Sequence, residues 1–184
     1  MQEEQVALYD RDDPGGRVVG SAPRSVMRAR NLPHAATSVA VRDRAGRIYL
    51  HRRTDTKDVF PGYHDVWAGG VVAAGEDPEW TAHRELAEEL GLHDATLRPL
   101  FVEWYADEHT TYLAHVYDLE YDEQLHGPIR HQPEEVADGW WVTLEDLQSR
   151  LTDPAWPFVP DGRFCLELYL SRGLAATAVR PEPM

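Results

Sequence analysis

The stretch from Gly70 to Leu92 reads GVVAAGEDPEWTAHRELAEELGL and decides the fold. Apolar residues between positions 79 and 90 recur at helical spacing. Asp77 stands where an N-cap belongs, and Pro78 occupies the first helical position. Gly91 closes the run, as glycine commonly does at the carboxyl end of a helix. The sequence therefore predicts a capped helix over residues 79–90 that follows a loop.

Three glutamates of this helix share one side. Glu85, Glu88 and Glu89 are related by i, i+3 and i+4, so their carboxylates project from the same face. Repulsion makes this a poor arrangement for stability, whereas a hard divalent cation such as Mg²⁺ or Mn²⁺ would relieve it and prefers oxygen ligands. The alternative is a solvated helical face on which Arg84 and His83 balance part of the charge.

The spacing of these residues resembles the Nudix box, G-x5-E-x7-R-E-U-x-E-E-x-G-U, in which U is aliphatic. The matching residues are Gly70, Glu76, Arg84, Glu85, Leu86, Glu88, Glu89, Gly91 and Leu92. The resemblance implies an α/β fold, the Nudix αβα sandwich, with a mixed β-sheet between helices. It also implies that the box forms a loop, helix and loop that hold a divalent metal against a diphosphate.

By this resemblance, the chemistry is attack of water on a phosphorus of a diphosphate linkage, with Mg²⁺ as the cofactor and Mn²⁺ as an alternative. Glu85 and Glu89 are implied as metal ligands, and Glu88 as a third ligand. Glu88 or Glu89 is also a candidate for the base that activates the water. Arg84 is implied to orient the carboxylates.

Other residues support this interpretation of the box. Gly70 lets the loop approach closely because it has no Cβ, Glu76 pairs with the box arginine or joins the outer metal shell, and Gly91 ends the helix. In some members of the family the base lies on a distant loop, so Glu134 and Glu135 are further candidates. Solvated loop carboxylates are the more common explanation for such residues.

Alternating and branched residues outside the box predict strands, and apolar stripes predict two further helices. The predicted strands cover residues 5–9, 17–20, 37–41, 47–52, 66–72, 97–105, 111–121 and 139–142. A helical turn is expected at 25–29, and helices at 144–151 and 162–170. We divide the chain into an amino-terminal hairpin and short helix at 1–34, a Nudix hydrolase domain at 35–174 and a flexible tail at 175–184.

Motifs outside the box resemble the isopentenyl-diphosphate isomerase branch of the same superfamily. They are His34-Ala35-Ala36-Thr37-Ser38, Leu50-His51-Arg52-Arg53-Thr54, Lys57, Pro61-Gly62 and Asp65-Val66-Trp67. The isomerase has Cys-Gly-His where this chain reads Ala68-Gly69-Gly70, and Met27 stands at the position of a histidine ligand. Cys165 lies in a predicted helix and supplies no replacement thiol, so proton transfer at an allylic carbon lacks its partner. We therefore interpret the chain as an isomerase-like Nudix hydrolase.

Basic and aromatic residues supply candidate substrate contacts. Arg52, Arg53 and Lys57 form the best local basic group for a substrate phosphate. Arg52 and Arg53 face opposite ways on a strand, so at most one of them points into a pocket, and ordinary surface charge is an equal alternative. His34 is a candidate polar group near the pocket. Five aromatic residues could stack a base but are more often core: Trp67, Trp104, Tyr105, Trp140 and Trp141.

Length, composition and charge exclude several classes of protein. A chain of 184 residues, 42% hydrophobic and 27% charged, fits one globular domain. The net charge of −14 opposes binding to duplex nucleic acid, because the field of the protein repels a phosphate backbone. No apolar run is long enough to cross a membrane and the amino terminus lacks a signal-peptide pattern, which predicts a cytoplasmic protein. The single cysteine excludes an internal disulfide.

The sequence thus predicts a metal-dependent hydrolase of a small-molecule diphosphate, nucleoside-diphosphate-like or prenyl-like. Two alternatives stay open: an enzyme like isopentenyl-diphosphate isomerase, and a catalytically weak Nudix domain that senses a ligand. The intact glutamates argue against the sensor, because a pure binder need not keep three like charges together. Apolar strands near the amino terminus could pair between chains, which leaves a homodimer open.

Overall fold

A computed structural model describes residues 3–174, so the predicted tail at 175–184 lies outside the described residues. The strands are β1 (Gln5–Tyr9), β2 (Val18–Pro23), β3 (His34–Asp43), β4 (Ile48–Arg53), β5 (His64–Asp65), β6 (Trp67–Ala68), β7 (Arg98–Ala106), β8 (Thr111–Tyr121) and β9 (Val136–Val142). The helices are α1 (Arg24–Ala29), α2 (Pro78–Leu90), α3 (Glu123–His126), α4 (Leu144–Leu151) and α5 (Pro160–Ser171). Across residues 3–174, no helix is both long and apolar enough to cross a membrane.

The strands form one mixed sheet around β3. β3 pairs in parallel with β8 along its whole length, and its pairings with β1, β4 and β6 are antiparallel. The amino-terminal hairpin of β1 and β2 joins this sheet where Leu8 lies opposite His34. The sequence before residue 35 therefore contributes to the same sheet as the rest of the chain.

Helices cover the two faces of the sheet. Val39 and Leu86 belong to a core cluster that joins α2 to β3, β4 and β8. Ala40 and Leu166 belong to a second cluster, which joins α5 to the opposite face. Because successive side chains of a strand point to opposite faces, Val39 and Ala40 of β3 serve the two clusters separately. The result is the expected α/β architecture, a mixed sheet between helices.

The strand predicted at 66–72 is wrong in extent. The structure has only β5 and β6 here, and Val71 makes an isolated bridge to Ala36. Gly69 passes so close to β3 that a Cβ at this position would lie 2.7 Å from the Thr37 carbonyl carbon. The Thr37 N–H donates to the Gly70 carbonyl at 2.9 Å. These contacts bend the chain away from a regular ladder.

The other predicted elements are present: β1, β8 and α4 have the predicted bounds, and the rest have shifted ends. The short helix α3 was not predicted, although Asp122 caps it by accepting a hydrogen bond from the Gln124 N–H at 2.9 Å. β9 begins at Val136 rather than at Gly139. Its pairing with β4 extends the strand beyond the segment that hydrophobicity alone marks.

A buried ion cluster joins β3, β7 and β8. Asp118 Oδ2 accepts hydrogen bonds from Arg42 Nε at 3.1 Å and from Arg98 Nη2 at 2.6 Å, and Asp118 Oδ1 accepts from Arg98 Nε at 2.9 Å. The Arg42 and Asp118 side chains are almost fully buried, whereas Arg98 is 43% exposed. Both guanidinium ions therefore pair with the same carboxylate.

Candidate active site

A cavity of about 550 Å³ opens beside the carboxyl-terminal half of α2. Its walls are α1, the start of β3, the loop between β4 and β5, and the first residues of β8 and α5. Gly69, Gly70 and Glu89 line it from the side of the Nudix-like stretch, and Glu134 and Glu135 line it from the loop before β9. The cavity is large enough for a small-molecule ligand.

The cap residues predicted from the sequence place α2. The Asp77 side chain accepts from the Glu79 N–H at 2.9 Å and from the Trp80 N–H at 3.4 Å, and Pro78 begins the helix. Gly91 ends it in the left-handed conformation, with φ of 68°. The buried stripe of Ala82, Leu86 and Leu90 holds α2 against the sheet. The adjacent stripe carries the glutamates, of which Glu89 lines the cavity while Glu85 and Glu88 do not.

Glu89 is the buried carboxylate of this site. It lines the cavity, and its Oε2 accepts from the Gly69 N–H at 3.3 Å. Burial raises the pKa of Glu89 well above its usual value, and the nearby charges of Glu85 and Glu135 raise it further. Lys57 and Arg53 oppose this rise. In the chain alone, the Glu89 carboxyl therefore keeps its proton to higher pH than an exposed glutamate does.

Glu85 lies behind Gly70. A Cβ at position 70 would lie 2.6 Å from the Glu85 Cδ, so a larger residue there would displace the carboxylate. Burial raises the pKa of Glu85, and Glu88 adds to the rise while Arg84 opposes it. Gly70 thus allows the loop to cover the carboxylate directly.

Substitution of Gly70 by alanine is expected to lower kcat by about 10- to 100-fold, because a displacement near 1 Å at a reacting centre costs this much. The new methyl group would push the Glu85 carboxylate out of place. Gly20→Ala is the matched control, since a Cβ there meets nothing within 4 Å. Steady-state kinetics and thermal melting of both variants measure this. Equal kcat for Gly70→Ala and Gly20→Ala would contradict the assigned packing.

Arg84 connects the other acidic residues of the stretch. Its guanidinium forms ion pairs with Glu76 at 3.4 Å, Glu85 at 2.9 Å and Glu88 at 3.1 Å. Glu76 also accepts from the Thr81 hydroxyl at 2.8 Å. The Glu88 side chain is 50% exposed and does not line the cavity. The structure therefore brings Glu85 and Glu89 together and places Glu88 on the outer side of the arginine.

The predicted basic group divides between the cavity and the surface. Arg53 and Lys57 line the cavity, and Lys57 forms an ion pair with Glu135. Arg53 Nη2 donates to the Val59 carbonyl at 3.0 Å, while its buried Nε has no hydrogen-bond partner among the described residues. Arg52 points away and pairs with Asp55 at 2.5 Å. Arg53 is thus the member of the arginine pair that faces the cavity.

The donor set suits a hard cation, although it is incomplete as it stands. Within residues 3–174, no three His, Cys, Asp or Glu side chains converge to form a metal-binding group. Glu85 and Glu89 nevertheless offer oxygen donors whose buried charges repel each other. Mg²⁺ is commonly held by one or two carboxylates, with waters and substrate phosphates as its remaining ligands. The buried Glu89 and the partly buried Glu85 therefore fit it.

A second acidic pair lies at another wall of the same cavity. Asp65 and Asp161 both line it, and the Tyr112 hydroxyl donates to Asp161 Oδ2 at 2.9 Å. Asp65 Oδ1 accepts from the Val66 N–H at 2.8 Å and the Trp67 N–H at 3.3 Å. Burial raises the pKa of Asp65 to about 7, and the charge of Asp161 adds to the effect. Asp65 is therefore largely protonated below neutral pH.

This pKa makes stability depend on pH in a defined direction. Between its ordinary value of 3.8 and about 7, folded Asp65 keeps a proton that the unfolded chain has lost. The free energy of unfolding therefore falls as pH rises through this window. Asp65→Asn keeps the acceptor oxygen without the ionisation. The stability of the variant relative to the native chain is expected to increase from about pH 4 to 7, by at most about 4 kcal/mol, and then to level off.

Urea unfolding of both proteins at a series of pH values measures this difference. A difference that stays constant between about pH 4 and 8, or that grows as pH falls, would contradict the burial of Asp65 as an acid.

The remaining candidates from the sequence occupy different places. His34 lines the cavity, and its Nδ1 donates to the Leu32 carbonyl at 2.9 Å. Trp67 also lines it, with its indole N–H donating to the Gly162 carbonyl at 2.9 Å. Cys165 is fully buried in α5, and burial raises its pKa to about 12, so it is no reactive thiol. Four aromatic residues lie outside the cavity lining: Trp104, Tyr105, Trp140 and Trp141.

Sequence reasoning missed Asp65 and Asp161, and also Arg24 and Arg28 of α1, all of which line the cavity. Asp65 belongs to the motif Asp65-Val66-Trp67, which predicts no separate role for its carboxyl group, and no spacing in the sequence connects it to Asp161. The i, i+4 spacing of Arg24 and Arg28 is a usable signal, although the helical turn predicted at 25–29 begins one residue after Arg24. It predicts a shared face but does not show what that face meets.

Comparisons with known proteins agree with this geometry. The NUDIX domain family model matches residues 32–162. The Nudix hydrolase orf19 of Rhodococcus erythropolis is 48% identical over 177 residues, covering 91% of this chain and 92% of that protein. The Nudix hydrolase YfcD of Escherichia coli K12 is 35% identical over 165 residues, covering 90% and 87% respectively. The chain belongs to the Nudix hydrolase family.

Solved structures share the fold. DR0079 from Deinococcus radiodurans has a TM-score of 0.70 at 24% identity and covers 96% of this chain and 100% of its own. The NUDIX domain of Shewanella oneidensis NrtR, solved in complex with ADP ribose, has a TM-score of 0.57 at 18% identity, with 75% and 86% covered. These likenesses establish the architecture of the domain.

Proposed function

We propose that this hydrolase cleaves the diphosphate linkage of a nucleoside-diphosphate-like small molecule and depends on Mg²⁺, with Mn²⁺ as an alternative. The observation that carries the proposal is the placement of two carboxylates beside the cations Arg53 and Lys57: Glu89 is buried and lines the cavity with them, and Glu85 is partly buried behind Gly70. Buried carboxylates supply the oxygen ligands that Mg²⁺ prefers, and the neighbouring cations supply partners for phosphate oxygens.

Each residue has a role in this proposal. Glu85 and Glu89 would hold the cation, which neutralises charge on the diphosphate when bound. Arg84 holds Glu85 in place through its ion pair, and Gly69 fixes Glu89 through its N–H. Arg53 and Lys57 orient the substrate phosphates as a bidentate donor and a point charge respectively. The narrow space beneath Gly70 keeps the Glu85 carboxylate in one position.

The base that activates the water is best sought inside the cavity. Glu89 and Glu135 line it, whereas Glu88 is half-exposed and paired with Arg84. A base must reach the proton that it accepts, so this placement favours Glu89 or Glu135 over Glu88. Glu135 is held by Lys57, and a substrate phosphate that engages Lys57 would free its carboxylate for the water.

A mass-spectrometric screen tests the function. The panel contains nucleoside di- and triphosphates, ADP-ribose, sugar nucleotides, dinucleotide polyphosphates and isopentenyl diphosphate, each with Mg²⁺ present or chelated. We expect cleavage of at least one member with Mg²⁺ and none with chelator. Migration of the double bond in isopentenyl diphosphate, or no cleavage anywhere with retained nucleotide binding, would contradict the proposal and favour an isomerase or a sensor.

A further inference from the structure

The short helix α1 lies ahead of the residues that the family model matches, yet it forms one wall of the cavity. Arg24, Met27 and Arg28 of α1 line the cavity, and so does Asn31 just after it. Arg24, Met27 and Arg28 are related by i, i+3 and i+4, which places them on one face of this helix. The neighbouring Arg30 is exposed and does not line the cavity.

Cations line the cavity from two of its walls. Arg53 and Lys57 line it from the end of β4 and the loop that follows, and Arg24 and Arg28 line it from α1. Glu89 lines the same cavity. A diphosphate bound in this cavity beside Glu89 therefore meets cations from both walls.

The two α1 arginines are available to a stronger anion. Arg24 pairs with Glu4 at 2.6 Å, with both side chains 37% exposed. Arg28 reaches Asp58 at 3.5 Å, with side chains 44% and 87% exposed. Exposed ion pairs of this kind contribute little to stability, so an incoming ligand can replace the carboxylate at small cost. Arginine also binds phosphate oxygens with two parallel hydrogen bonds.

A terminal phosphoryl group, which is esterified on one side only, binds these additional cations more strongly than a phosphate that is capped by a second ester group. At neutral pH a free terminal phosphate carries a charge of about −1.5 to −2, whereas a phosphate esterified on both sides carries about −1. The Arg28–Asp58 ion pair also joins α1 to the loop between β4 and β5, two walls of the cavity.

We propose that α1 is part of the substrate-binding site, with Arg24 and Arg28 binding the terminal phosphoryl group of the diphosphate, so that the chain selects diphosphates with a free end over those capped at both ends. This inference rests on the proposed function, because it places a diphosphate at Glu85 and Glu89. It defines the class of substrate as one that ends in an unesterified phosphate.

A matched pair of ligands tests the selection. The α,β-methylene analogues of ADP and of ADP-ribose differ only in the cap and cannot be hydrolysed at the bridge. Calorimetry with Mg²⁺ measures their binding to the native chain, to Arg24→Gln and Arg28→Gln, and to the control Arg30→Gln. We expect the native chain to bind the ADP analogue at least about tenfold more tightly. Arg24→Gln and Arg28→Gln should each raise the Kd of the ADP analogue about tenfold. They should raise the Kd of the ADP-ribose analogue less than about threefold.

Three results would overturn the inference: equal binding of the two analogues by the native chain, an Arg24→Gln effect no larger than that of Arg30→Gln, or an equal loss for both ligands. Thermal melting of each variant shows whether the fold is kept. The binding test does not depend on turnover. Selective binding of the ADP analogue without cleavage in the substrate panel would support the α1 inference and contradict the proposed hydrolysis. Cleavage in the panel without selective binding would support hydrolysis and contradict the α1 inference.

Discussion

Glu89→Gln is expected to lower diphosphate turnover on the order of 10³-fold while leaving the fold intact. The glutamine keeps an amide oxygen to accept the Gly69 N–H but removes the charge that the cation requires. Burial raises the pKa of Glu89, which means that its charged form is costly in the folded chain. The variant should therefore melt at the same temperature as the native chain or higher. Loss of activity with unchanged or increased stability separates a functional residue from a structural one.

Glu79→Gln is the matched control for this variant. Glu79 lies in the first turn of the same helix and is exposed, so the same chemical change there should leave kcat unchanged. It should lower stability by no more than about 1 kcal/mol, the contribution of an acidic residue near a helix amino terminus. Initial rates at saturating substrate across a range of Mg²⁺ concentrations make the comparison. Turnover of Glu89→Gln within a few-fold of the control would contradict its assignment as a metal ligand.

Asp118→Asn should produce the largest loss of stability from a change of one functional group. The substitution keeps the size of the side chain but removes the charge that Arg42 and Arg98 share. Arg42 is almost fully buried, and its Nη1 already has no hydrogen-bond partner among the described residues. Leaving a buried charge without its partner costs about 3–5 kcal/mol. Urea unfolding at constant pH measures the change in the free energy of unfolding.

Asp12→Asn provides the matched comparison away from the ion cluster. Asp12 is exposed in the turn after β1, so its neutralisation should change stability by less than about 0.5 kcal/mol. If Asp118→Asn also fell within this range, the ion cluster would contribute no net stability. The predicted loss of stability for Asp118→Asn would then be wrong, although the hydrogen bonds of Asp118 are present.

The parts of the site that the sequence predicts are those set by local spacing. Asp77, Pro78 and Gly91 mark the ends of α2 because caps act through adjacent backbone groups. The spacing of Glu85 and Glu89 places them one helical turn apart. Alternation in β3 and β8 predicts both strands, since each contributes residues to a buried face.

The rest depends on contacts between distant segments. The break after β6 arises because Gly69 meets β3, and no pattern within residues 66–72 contains that contact. Helical spacing puts Glu88 near Glu85 and Glu89 but does not say that Arg84 holds it on the outer side. The second acidic pair unites Asp65 with Asp161, which lie far apart in the chain.

The most direct test of the account is hydrolysis of the best panel substrate in ¹⁸O-labelled water, followed by mass spectrometry, with Mg²⁺ present and with Mg²⁺ chelated. Attack of water on phosphorus places the label in one of the two phosphate products. We predict that label there with Mg²⁺ and no cleavage with chelator. Label in the product that carries no phosphate, or cleavage that continues at the same rate with chelator, would contradict a metal-dependent diphosphate hydrolase.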